Sequence, residues 1–429
     1  MIQLELFKEE LSLSKTKLST NLTTGHYPIH RWFNFIAGFS PEFVGQCLRE
    51  AGLSSDDVLI DPFAGLSTAL VQANFSGIPS IGFEAHPFFY DISRAKVYPP
   101  TKKRQIDDVE ALCRLAVEPF AGNLTDVWTK DAIAYLTKLV PDPDLRSLAR
   151  AVLLEDRVNS DAQPLYRLVI SKVLELTACS QTDGVYKAPT TAKTSTRYHI
   201  ALAKVCHEIR QDVEAIDGEV ASLATIHHGS SERMNVVADQ SCSLCVTSPP
   251  YLNNFDFAEM TRMELYFWRY AGSWGDITEK VRRNLIVNTT TAPTDLKRSQ
   301  ARFAHALSLQ LRARLQPLVA ALEQQRRIKP GKKDYYLLVY PYFAQMQSVI
   351  RELQRTLKPN SSLHMVVADA ALYGVHIQTE LLLAEVMREN GFQVLGIESL
   401  RVRGDRWRLT KRQGANGPLG EFHIHAQRI

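Results

Sequence analysis

The stretch VLIDPFAGLSTALVQANFSGIPSIGFEAHP at 58–87 restricts the possible folds more than any other part of the chain. A short apolar run from Val58 to Ile60 reads as a buried strand. Pro62 and Gly65 turn the chain, a helix opens at about Ser67, Gly77 breaks it, and a second strand ends near Glu84. Such a strand–helix–strand unit implies parallel pairing, because parallel strands need a crossover and the helix supplies one. The expected fold class is α/β, a mostly parallel sheet covered by helices.

The flanking sequence extends this unit. Ser40 and Pro41 form a helix start, with Phe43, Val44, Cys47 and Leu48 at helical spacing and Gly52 as the stop. From about 98 to 222 the pattern is mostly helical, far longer than a crossover requires, so it reads as an insertion. LATIHH and SLCVTSPPY resume the strands at 223–256, and a polar, helical section occupies 257–333 as a second insertion. Over 334–429, YYLLVY, SLHMVVAD, FQVLGIESLRV and EFHIHAQRI read as strands, and FAQMQSVIRELQRTLKP and TELLLAEVMREN as helices. Residues 1–97 then form a lead-in segment plus the first half of the core, and 334–429 complete it.

With 45% apolar and 22% charged residues, the chain has the composition of a packed domain and not of a disordered one. The excess of 50 basic over 46 acidic residues gives a formal charge of +4, so only local clustering argues for a polyanionic partner. No stretch reaches 18 uninterrupted apolar residues, and charges occupy the place of a signal peptide's apolar core. A soluble, cytoplasmic protein with no membrane partner is expected. Six irregularly spaced Cys point to reduced thiols.

Two segments carry chemistry. The turn DPFAGLST puts the backbone of Ala64, Gly65 and Leu66 at the carboxyl edge of the sheet, where open α/β sheets bind ligands. Without a Cβ, Gly65 lets a ligand lie against the main chain, and the free N–H groups of the helix start suit a carboxylate. Glu84, ending the next strand, is placed to accept both hydroxyls of a ribose. An ordinary tight turn and a solvated strand end would look the same on this segment alone. The second segment is TSPPY at 247–251. Two consecutive prolines fix a rigid, extended exit from a strand. That exit presents Ser248, two carbonyls freed from the sheet and the ring of Tyr251, a slot for a flat heterocycle with an exocyclic amine.

Together the two segments resemble the S-adenosylmethionine-dependent DNA amino-methyltransferases, whose cofactor loop reads DPFxGxGT and whose catalytic loop reads (D/N/S)PP(Y/F/W). The resemblance covers about 26–97, 223–256 and 335–429. It implies a methyltransferase-type, Rossmann-like sheet carrying an inserted helical region, S-adenosyl-L-methionine as cofactor and DNA as partner. It places Asp61, Pro62, Phe63, Ala64, Gly65, Ser67, Thr68, Ala85 and Thr247 around the cofactor, with Glu84 at its ribose and Trp32 and Phe39 closing over its methionine moiety. Ser248, Pro249, Pro250 and Tyr251 become the catalytic residues. Ser at the first position of that loop implies cytosine-N4 modification, within a restriction or defence system that could include a partner protein. Adenine-N6 methylation, methylation of a structured RNA, and a catalytically silent nucleic-acid-binding partner are the alternatives. Two departures stand out: Leu66 and Ser67 replace the second Gly of the cofactor loop, and Ser230 and Ser231 stand where an Asp usually meets adenine.

Cys242 and Cys245, preceded by His227 and His228, do not make a zinc set, because no second pair stands at ribbon spacing. The run RVRGDRWRLTKR at 401–412 offers Arg401, Arg403, Arg406 and Trp407 as an edge gripping phosphate. Target recognition is expected in the first insertion, around QTDGVYKAPTTAKTSTR with Gln181, Lys187, Lys193 and Arg197. The aromatic-rich segment after the catalytic loop brings Phe255 or Phe257 towards the base slot.

Overall fold

The computed structural model describes residues 23–34, 38–182, 187–192, 194–216, 220, 222–328, 333–402 and 419–429, with backbone alone at 181–182 and 187–192. Seven strands form one sheet: β1 (Leu59–Asp61), β2 (Ser80–Glu84), β3 (Ala224–His228), β4 (Cys242–Thr247), β5 (Leu357–Ala368), β6 (Phe392–Val402) and β7 (Gly420–Arg428). Their order is β3-β2-β1-β4-β5-β7-β6. The first five run parallel, and β7 enters antiparallel between β5 and β6. This is a mixed α/β fold of the Rossmann-like methyltransferase type, as the strand–helix–strand unit led one to expect.

Strand alternation divides the interior in two. Leu59, Leu244 and Val366 face one core, while Ile60, Cys245, Met365 and Val367 face the other. The first core holds α1 (Pro41–Ala51), α2 (Thr68–Phe75) and α3 (Pro87–Val97). It continues into the helices inserted between β2 and β3, namely α4 (Lys103–Arg114), α5 (Asp142–Leu154), α6 (Gln163–Thr177) and α7 (Tyr198–Ile216). The second core holds α8 (Leu309–Ile328), α9 (Val339–Thr356) and α10 (Thr379–Glu389). Local signals behave as expected at α1: Ser40 Oγ accepts the Phe43 N–H at 3.1 Å, Pro41 sits at the first turn, and Gly52 ends the helix at φ 60°. The run YYLLVY is a correction. Tyr335–Leu337 is a 3-10 turn leading directly into α9, because a six-residue apolar run has no period that separates a strand from a buried helix start.

Buried ion pairs tie the insertions to the core. Arg167 on α6 pairs with Asp91 on α3 and with Glu155, and Tyr270 donates to Asp91. No helix among the described residues is long and apolar enough to cross a membrane.

The HIH segment has a role that strand alternation did not reveal. His423 and His425 share a face of β7 with His364 on β5, their rings stacking at 4.4–6.2 Å with interplanar angles of 13–19°. Burial, reinforced by the neighbouring imidazoles, lowers His364 to about 3 and His423 to about 4. Unfolded, these rings take up protons near pH 6.5; folded, they do so only near 3–4. Between those limits the unfolded chain binds more protons, so these groups lower stability as pH falls. A His364→Phe variant lacks that uptake. Its melting temperature relative to wild type should rise steadily from pH 7 to pH 4.5; a difference independent of pH would refute the account.

Candidate active site

The two segments singled out by sequence meet at one hydrogen bond. β1 and β4 are parallel neighbours ending at Asp61 and Thr247, and Thr247 Oγ1 donates to Asp61 Oδ1 at 2.7 Å. The same carboxylate oxygen accepts the Phe63 N–H at 3.0 Å, which closes the turn through Pro62. Asp61 is 1% exposed, and burial lifts its carboxyl to about 7. This junction lies where the strand order reverses direction from β1, the place where open α/β sheets form their ligand crevice.

The cofactor-type loop turns on two left-handed residues, Gly65 at φ 55° and Ser67 at φ 63°. The second is informative, because Ser67 occupies the position of the missing glycine and still adopts the conformation glycine favours. The serine thus takes a left-handed turn at that position. Ala64 N–H donates to Phe83 O at 2.9 Å and Ser93 Oγ to Gly65 O at 2.7 Å, anchoring the loop to β2 and α3. Thr68 begins α2.

Glu84, at the tip of β2, accepts the Gly65 N–H through Oε2 at 2.8 Å and the His86 N–H through Oε1 at 2.6 Å. Burial raises its carboxyl to about 8 against those two hydrogen bonds, and the Asp61 charge adds to the rise. Ala85 lies between Glu84 and His86, which caps α3 and shares a 2.9 Å hydrogen bond between its Nε2 and Thr261 Oγ1. Two observations agree with a bound small molecule here. Ser67 Oγ is fully buried without a hydrogen-bond partner, and a Cβ added at Gly65 would meet nothing nearer than Phe63 O at 3.9 Å.

The loop 248–251 leaves β4 with Pro249 buried and Ser248, Pro250 and Tyr251 half-buried. Its far end is held by residues that sequence reasoning missed. The Tyr251 carbonyl accepts from Asn253 N–H at 2.8 Å and Asn288 Nδ2 at 3.3 Å, and Asn288 Nδ2 also reaches Phe255 O at 3.0 Å. Asn254, left-handed at φ 62°, donates its N–H to Asn288 O at 3.1 Å and accepts the Thr290 N–H at 2.9 Å. Asp256 caps the next helix and pairs with Arg282, which is buried, at 2.8 Å. Thr291 Oγ1 donates to Asp256 at 2.5 Å. The available signal was NTTTAPT at 288–294, a run of small hydroxyl residues beside an Asn with no helical period. Phe255 and Phe257 pack edge to face at 4.9 Å, with Phe257 also against Phe89.

Trp32, Phe39, Arg401 and Arg197 are engaged in packing or in hydrogen bonds to acids. Trp32 is fully buried and donates its indole N–H to Asp212 on α7 at 2.7 Å, alongside the Ile29 N–H and Arg31. It joins the N-terminal segment to the insertion and is not open to a ligand. Phe39 is 5% exposed and packs on Phe43 at 5.7 Å. Arg401 pairs with Glu421 through two hydrogen bonds of 2.6 and 2.8 Å across β6 and β7, so its charge is already matched. Arg197 is likewise held, 3.1 Å from Asp144, whose same oxygen accepts the Tyr198 N–H at the start of α7. Lys187 lies in a backbone hairpin of Ser180–Thr182 with Lys187–Ala192. Its side chain, together with Lys193, Arg403, Arg406 and Trp407, lies outside the described residues. Cys242 and Cys245 are buried within β4, their thiols raised by desolvation.

Fold and site together bring the DPFAGLST turn, Glu84 and the proline-stiffened SPPY loop to the ends of the neighbouring strands β1, β2 and β4. No family model matches the chain. The Type II methyltransferase M.BsoBI of Geobacillus stearothermophilus is 22% identical over 439 residues, covering 92% of this chain and 84% of its own. The Type II methyltransferase M.AvaI of Nostoc sp. is 24% identical over 395 residues, covering 86% and 80%. The Type II methyltransferase M.MvaI of Kocuria varians is 21% identical over 405 residues, covering 84% and 81%.

Proposed function

We propose that this protein is an S-adenosyl-L-methionine-dependent DNA methyltransferase acting on the exocyclic amine of a flipped base, cytosine-N4 in the first instance. The observation that carries the reading is the Thr247–Asp61 hydrogen bond, which joins the DPFAGLST loop to the SPPY loop across adjacent strand ends. Similarity to three Type II methyltransferases along most of the chain supports it.

S-adenosyl-L-methionine would supply a methyl group on a sulfonium centre that carries its own leaving group. Asp61, Phe63, Ala64, Gly65 and Ser67 would hold its methionine part, and Glu84, beside Ala85, its ribose. Ser248 Oγ and the Pro249 carbonyl would accept the amine hydrogens of the base, drawing its lone pair out of the ring towards the methyl carbon; the N–C bond would form as the methyl–sulfur bond breaks, the sulfur leaving as a neutral thioether and the surplus amine proton passing to solvent. Tyr251 would cover the base's face, with Asn288 fixing the main chain behind it. The chain's contribution is placement and electrostatics, which suffices because no covalent adduct with the base is required. A restriction or defence partner fits this reading, since modification guards the sites that a nuclease cuts.

Mass spectrometry of nucleosides from DNA and RNA incubated with protein and cofactor tests the proposal. N4-methylcytosine in DNA is the expected product. N6-methyladenine would move the target base, and methylation confined to RNA would replace the substrate. Cofactor binding with no product in either would leave a silent nucleic-acid-binding protein.

A further inference from the structure

A surface can grip nucleic acid only with cations that its own acids leave unmatched. Both expected basic contacts that the structure describes as side chains, Arg197 and Arg401, are neutralised by Asp144 and Glu421. The same holds for Arg210, Arg282, Arg283, Arg314 and Arg355, each paired with an acid within 4 Å. Arg233, Arg298 and Arg302 differ: all three are exposed, and among the described residues no ion pair joins them to an acid.

Hydrogen bonds tie the sequence neighbours of these arginines to the SPPY loop. Asn288 holds the Tyr251 carbonyl, and its neighbour Val287 donates its N–H to Gln345 Oε1 at 2.8 Å. Gln345 Nε2 donates to Glu232 Oε1 at 3.0 Å. Glu232 follows β3, its carboxyl raised by burial, and the charges of Arg233 and Arg302 act against that rise. Arg298 reaches the same region by another route. It ends the helix Thr294–Arg298, and the preceding Lys297 donates to Thr290 O, while Thr290 bonds to Asn254 beside the loop. Arg302 lies one turn further, in the helix Gln300–Ala306, over the ring of Phe303 at 5.8 Å, and the exposed His305 follows. Glu232, on which Arg233 and Arg302 both act, is already shared with Gln345 and Ser230.

We infer that Arg233, Arg298 and Arg302 form a phosphate-gripping stripe beside the catalytic loop, along which the backbone of the substrate DNA lies. The inference rests on the proposed function for its partner and moves the grip to Arg233, just after β3, and to the second insertion, which holds Arg298 and Arg302. The reasons are charge left unmatched, exposure, and neighbouring residues that hydrogen bonds tie to the loop proposed to receive the base. A polyanionic backbone with regularly spaced phosphates is the partner such a row suits, because each neutralised phosphate releases counterions on binding.

The test is the salt dependence of binding to a fluorescein-labelled duplex, followed by anisotropy, for wild type and for the triple variant Arg233→Ala, Arg298→Ala, Arg302→Ala. The slope of log affinity against log salt should shrink by about 0.9 for each phosphate that is no longer neutralised, or roughly 2.7 for all three. The loss should be similar for unrelated duplex sequences, and the calorimetric affinity for S-adenosyl-L-methionine should not change. A comparison variant, Lys103→Ala with Arg104→Ala on α4, should keep the wild-type slope. Wild-type binding with an unchanged slope in the triple variant would overturn the inference and leave the proposed function standing. A reduced slope in the α4 variant alone would return the grip to the first insertion. Wild type that binds no duplex at any salt would remove both.

Discussion

Replacing Ser248 by Ala should lower methyl transfer by about a hundred- to a thousandfold, the usual cost of losing one preorganised polar contact to a group that gains charge as it reacts. Cofactor affinity should stay near wild type, because Ser248 leaves β4 beyond Thr247 and no cofactor role is assigned to it. Tyr251→Ala should also suppress turnover, since a stacked base is worth roughly 1–3 kcal/mol to an aromatic ring. The loop itself should survive both changes. Asn288 and Asn253 hold the Tyr251 main-chain carbonyl, which no side-chain substitution removes. Tyr251→Phe separates ring from hydroxyl: substantial activity is expected if the ring is what acts. Single-turnover rates decide it, and equal loss in the Phe and Ala variants would transfer the role to the hydroxyl.

The second large effect falls on Glu84. Removal of a charged acceptor for ribose hydroxyls should weaken S-adenosyl-L-methionine binding by about ten- to a hundredfold, or roughly 1.5–3 kcal/mol. Glu84→Ala also frees the N–H groups of Gly65 and His86, so Glu84→Gln, which keeps one acceptor, should fall between Ala and wild type. A pH signature accompanies this. The carboxyl without ligand titrates at about 8, whereas accepting hydroxyl hydrogens favours the ionised form. Binding near pH 7 should therefore release a proton, and affinity should rise with pH until it levels off above about 8. Calorimetry in two buffers of different ionisation enthalpy reads that proton directly. An unchanged dissociation constant in folded Glu84→Ala would remove the residue from the site.

The row of unmatched arginines raises the same question from the outside of the molecule. Sequence clustering drew attention to 401–412, where cations are dense, yet density is a poor guide to availability. Arg401 faces Glu421 only because β6 and β7 pair in the register Arg401↔Glu421. Arg233 and Arg302, far apart in the chain, both act on Glu232, which local charge density does not show.

What the sequence alone determined was local. Periodicity and punctuation located all seven strands of the sheet, the capped helix α1 and the DPFAGLST and SPPY turns, because these depend on residues within one turn or one strand of each other. YYLLVY escaped, being too short for its period to show. Tertiary structure alone decided the rest. It placed Thr247 against Asp61, 186 positions apart, and let Ser67 keep a glycine-like conformation through the loop's anchors to β2 and α3. It turned Trp32 towards Asp212 and set Asn288 behind the SPPY loop. The physical reason is common to all of these: a hydrogen bond or ion pair is satisfied by whatever group the packed fold brings within about 3 Å, and no local pattern records which one that will be.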